Sequence, residues 1–83
     1  MATTRFRDRV LKSFGARLKQ ARLDSGFPDA KTAAEALGLK PATYRYWERG
    51  KSGPDIPTIV RICELFNVGP STLIPTRTND RVD

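Results

Sequence analysis

The 83-residue chain has no histidine and a single cysteine, Cys63. Without histidine the commonest general base is missing, and with it every Ser-His or Cys-His pair. A lone cysteine closes no intramolecular disulfide, and a Cys/His metal cluster needs ligands this chain does not have. No apolar stretch approaches the roughly 20 residues of a membrane-spanning helix, and no apolar signal-peptide core follows the N-terminus. What remains for chemistry is a scatter of carboxylates and lysines, so the expectation is a cytoplasmic protein that is not an enzyme, binds no metal and uses no cofactor. Acidic residues are also in the minority, 9 against 15 Lys and Arg, for a formal net charge of +6. That balance draws polyanions over long range, nucleic acid ahead of an anionic membrane. A chain of this length makes one small domain that buries only about 60–65% of its extended surface, too little for a deep catalytic cleft.

Apolar spacing and capping residues divide the chain into helices, and no strand pattern competes. Residues 1–12 carry Arg5, Arg7, Arg9 and Lys12 around Phe6, Val10 and Leu11. This basic segment has three readings: an extension of the first helix, a contact with a partner subunit, or an arm along DNA. From Ser13 the pattern is regular, with Phe14, Leu18 and Ala21 on one face of a first helix that stops near Gly26. Asp29 is suited to cap a second helix over about 30–37, and Gly38 to end it. Pro41 opens a third helix running to about Arg49. Asp55 caps a fourth over about 56–66, whose stripe of Ile59, Ile62, Cys63 and Phe66 makes Cys63 a core residue. After Gly69-Pro70 a short last helix holds Leu73 and Ile74 against the core before Pro75, and residues 76–83 form a frayed tail. The domain proper is thus residues 13–75.

The stretch AEALGLKPATYRYWERG, residues 34–50, is the most specific part of the chain. Two helices crossing at about 90–120° over a short turn need small residues at their closest approach, a need that Ala34 and Gly38 meet. Leu37, Leu39, Tyr44 and Trp47 can close the wedge between them. Small residues alone fit an ordinary helical hairpin as well as a helix-turn-helix.

The order across the chain separates the two. ARLKQAR before the first turn, AAEALGL as the second helix, the WERG ending of the third, the run GPDIPTIVRICELFNV and the closing STLI together resemble the Cro and phage-repressor type of helix-turn-helix domain over residues 16–74. The block GFPDAKTAAEALGLKPATYRYWERG is similar to that of small phage or prophage regulators. The resemblance implies an all-α, compact five-helix bundle of the lambda-repressor-like kind, with the helix-turn-helix at its second and third helices. It makes the third helix the recognition helix, with Pro41, Ala42 and Tyr46 facing bases and Thr43 and Arg45 flanking them. Lys31, Lys40, Arg49, Lys51 and Ser52 fall where the family clamps backbone phosphates, and Arg22 and Glu48 where many relatives have an ion pair between the first and third helices. Two positions depart from the pattern. Lys40 stands where the family usually has a capping Ser or Thr, and Ala30 where it often has a Gln that braces the recognition helix.

The implied function is sequence-specific binding of double-stranded DNA by a transcriptional regulator, a repressor acting as a homodimer on an inverted-repeat operator. Dimer contacts in the family lie around the fourth and fifth helices, which makes Leu73, Ile74 and Val82 candidate interface residues. Two other classes remain: an antitoxin-like module that binds a protein as well as DNA, and an architectural binder without sequence preference, which would lean on the basic N-terminal segment.

Overall fold

A computed structural model describes residues 2–75, with side chains from Arg5 onward. Its helices are α1 (Ala2–Asp24), α2 (Ala30–Leu37), α3 (Pro41–Glu48), α4 (Ile56–Phe66) and α5 (Pro70–Leu73). The result is an all-α bundle of five helices. The tail from residue 76, Val82 included, lies outside the described residues.

Local chemistry explains the helix limits. The Asp29 carboxylate accepts from the Thr32 amide at 2.8 Å and the Thr32 hydroxyl at 2.7 Å, and Asp55 accepts from the Thr58 amide at 3.0 Å. Each satisfies a first-turn donor that has no partner within its helix. Those hydrogen bonds hold both carboxyls below their ordinary pKa. At the far end of α2, Gly38 takes φ 72° and the Leu39 amide donates back to Ala34 O at 2.9 Å. Asn67 closes α4 in the same left-handed conformation, φ 57°, with Val68 N bonded to Cys63 O at 2.9 Å. This six-residue return satisfies carbonyls that a helix end otherwise leaves open. The third helix stops at Glu48, one residue short of the expected Arg49, because the chain reverses at Gly50 and Lys51 N bonds to Tyr46 O at 2.9 Å.

The core gathers Phe14, Leu18 and Ala21 of α1 against Leu37, Tyr44, Trp47, Ile62 and Phe66. Cys63 joins it, and burial pushes its thiol pKa up. The single turn of α5 directs Leu73 inward to zero exposure, which removes it from the interface expected of it, and Ile74 is half-buried. Apolar surface lies instead on α4, where Ile56 is 74% and Val60 50% exposed.

α1 crosses the C-terminal end of α3 at main-chain distance. A Cβ on Gly15 would lie 2.6 Å from the main-chain oxygens of both Trp47 and Glu48, and one on Gly50 would lie 2.9 Å from Lys12 Cα. Leu11 meets the following loop at Gly53. The two glycines let the elements touch backbone to backbone.

Candidate functional site

The turn between α2 and α3 presents α3 with one face inside and one outside. Ala34 and Tyr44 are fully buried, Trp47 nearly so, and the Tyr44 and Trp47 rings meet edge to face with centroids 6.0 Å apart. Such a pair adds to area burial and sets the roll of the helix about its axis. From α4, Arg61 Nη2 donates to Leu37 O at 2.9 Å, tying the last turn of α2 to the rest of the bundle. Local apolar periodicity carries no signal for this brace, because Arg61 lies on the polar side of its own helix; the unpaired carbonyls at a helix end are the only hint.

A buried ion pair holds the other end of α3. Arg22 Nε donates to Glu48 Oε2 at 2.7 Å, Nη2 donates to Oε1 at 3.3 Å and Nη1 donates to Phe27 O at 2.9 Å. Both side chains are at most one-tenth exposed. The hydrogen bond to Glu48 raises the Arg22 pKa against the opposing effect of burial. Beside the pair the Tyr44 hydroxyl is buried with no hydrogen-bond partner among the described residues. Burial first, then the Glu48 charge, pushes its pKa far up and keeps it protonated.

On the outer face Ala42, Thr43 and Arg45 are exposed, Tyr46 is 53% exposed, and Pro41 at the first helical position is half-buried. Lys40 is exposed and makes no side-chain cap, so the first amides of α3 have no side-chain acceptor there. Lys31 is exposed in the first turn of α2, while Ala30 is half-buried against the core. In the loop after α3, Arg49 and Lys51 are exposed and Ser52 is half-buried. The surface around α3 therefore offers cations, open amides and one amphipathic ring, a set suited to an anion and a flat stack of bases. Among the described residues no group of three or more His, Cys, Asp or Glu is placed to hold a metal ion, and no helix is long and apolar enough to cross a membrane.

The sequence has counterparts among known proteins. The helix-turn-helix family profile matches residues 18–73. The chain is 36% identical over 62 residues to the HTH-type transcriptional regulator ImmR of Bacillus subtilis (strain 168), a match covering 75% of this chain and 48% of that protein. It is 31% identical over 61 residues to the SPbeta prophage-derived HTH-type transcriptional regulator YonR of the same organism, covering 74% of this chain and 56% of that protein. The chain thus spans about half the length of the curated relatives it matches.

Proposed function

We propose, because this chain belongs to the Cro and phage-repressor type of helix-turn-helix family, that it binds double-stranded DNA sequence-specifically and represses transcription as a homodimer on an inverted-repeat operator. One observation carries the reading: on α3 the aromatic pair Tyr44 and Trp47 is buried while Ala42, Arg45 and Tyr46 stand exposed. A helix gripped on one side and bare on the other can enter a major groove as a rigid unit. That both Bacillus relatives are named transcriptional regulators supports the same conclusion.

In this reading Pro41 and Ala42 pack on thymine methyl groups, Arg45 pairs with guanine O6 and N7, and the Tyr46 hydroxyl reaches a base edge. Lys31, Lys40, Arg49, Lys51 and Ser52 hold phosphates and set the register, with the uncapped amides of α3 beside the Lys40 ammonium. Exposed Ile56 and Val60 offer the two copies an apolar face, and half-sites lie about 34 Å apart, one helical turn. Occupancy of the operator then blocks the promoter.

Selection of duplexes from a randomised pool at near-physiological salt, followed by sequencing, tests this. Enrichment of a short inverted repeat is the expected result. Retention without enrichment assigns the chain to architectural binding, and no retention moves it to a protein partner.

A further inference from the structure

The basic stretch before the family match at residue 18 is part of α1, which begins at Ala2. Arg5, Arg9 and Lys12 recur at i, i+4 and i+7, so they share one side of that helix, and all three are exposed. Among the described residues Arg7 lies 3.8 Å from Asp8, and no carboxylate engages Arg5, Arg9 or Lys12. The stripe starts at a defined place, since Lys12 Cα would be 2.9 Å from a Cβ on Gly50 and Leu11 meets Gly53. It is therefore continuous with the loop that carries Lys51 and Ser52. From Lys12 to Arg5 the helix advances about 10 Å, equal to the rise of roughly three base pairs along a duplex axis.

We propose that the N-terminal half of α1 is a second DNA-contacting element, whose Arg5, Arg9 and Lys12 stripe holds duplex phosphates flanking the segment under α3. The proposal rests on the DNA-binding reading above. The chemistry favours phosphate over a lipid surface: among the described residues Phe6 is the one large apolar side chain in this half that is more than half exposed, and the Arg9 guanidinium lies over its ring at 5.5 Å from the centroid. One ring under a cation gives little apolar area for a bilayer, whereas three cations at helical spacing match a polyanion.

The test measures the salt dependence of binding by the full chain to two duplexes, one trimmed to the selected inverted repeat and one with an extra helical turn of flank on each side. On the longer duplex Arg5→Gln/Arg9→Gln lowers the slope of log affinity against log salt by about 2 and weakens binding roughly tenfold, while on the trimmed duplex it matches the parent. Arg7→Gln leaves the slope on both unchanged. An unaltered slope on the longer duplex overturns the proposal, as does an equal loss from Arg7→Gln and Arg5→Gln, which would reflect net charge alone. A double variant that loses its dimeric state without losing slope overturns it too and assigns the arm to a subunit contact. If the parent retains no duplex at all, the DNA-binding function itself fails and the arm with it; parental binding with an unaltered double variant removes the arm only.

Discussion

α3 meets its two neighbours in different ways. Toward α2 the junction is local: a left-handed Gly38, a buried Ala34 and a turn that returns Leu39 N to Ala34 O. Toward α1 it is distant in sequence, with Gly15 set on the carbonyls of Trp47 and Glu48, Gly50 set on Lys12, and Arg22 paired with Glu48 across 26 residues. The first junction sets the angle at which α3 leaves the turn. The second fixes where the helix lies, by contacts that leave no room and a buried ion pair. A reading helix needs both, because a small misplacement of its outer face takes side chains out of reach of base edges.

The largest break comes from the distant junction. Glu48→Ala leaves the Arg22 guanidinium buried without its carboxylate and lowers stability by about 3–5 kcal/mol in urea unfolding, with DNA affinity falling as a consequence. The paired change Arg22→Met/Glu48→Leu keeps more of the stability than the single variant, since no charge is stranded. A Glu48→Ala protein as stable as the parent would refute the pair.

The glycines at the two junctions differ in the same sense. Gly15→Ala inserts a methyl 2.6 Å from two carbonyl oxygens and costs about 2 kcal/mol, although the same exchange in an open helix gains about 0.5–1 kcal/mol. At Gly38 nothing lies within 4 Å of the added carbon, so Gly38→Ala suffers only from φ 72° and costs about 1 kcal/mol. Thermal unfolding of the two variants gives the order, and a larger loss at Gly38 would reverse the assignment of the two junctions.

Lys40 at the α2–α3 junction trades in the other direction. Lys40→Ser supplies the missing cap and raises stability by about 0.5–1 kcal/mol, while Lys40→Ser and Lys40→Ala both lower the salt slope of DNA binding by about 1. An unchanged slope would sink the phosphate contact. The smallest effect is on acid stability. Asp29 and Asp55 titrate below their unfolded value of 3.8, so their contribution is present above that pH and is lost as pH falls through the folded values. Asp29→Asn/Asp55→Asn keeps an acceptor at each cap without the titration, so its stability falls less than the parent's below about pH 4.

The elements that local chemistry dictates are legible in the sequence. Asp29, Gly38 and Asp55 carry the limits of α2 and the start of α4, because a cap acts within a few residues of itself. The alternation of buried Tyr44 and Trp47 with exposed Ala42, Arg45 and Tyr46 follows from helical period. Of the contacts that position α3, the Arg22–Glu48 pair follows only from the family resemblance, and the others are not legible in local pattern. Gly15 lies inside a helical pattern where glycine is ordinarily a weakness, and only the approach of a segment more than thirty residues later gives it a purpose. Arg61 resembles any solvated arginine until Leu37 O stands beside it. Leu73 takes the core place its helix offers and not the dimer contact that the family resemblance also suggested, because one turn has a single inner position and Leu73 fills it.

Whether the outer face of α3 reads bases is decided by duplex selection repeated with Arg45→Ala beside the parent. Both are expected to recover the same inverted repeat, with the preference at one guanine in each half-site relaxed in the variant and the others kept. An identical preference at every position in parent and variant would contradict base reading by that face.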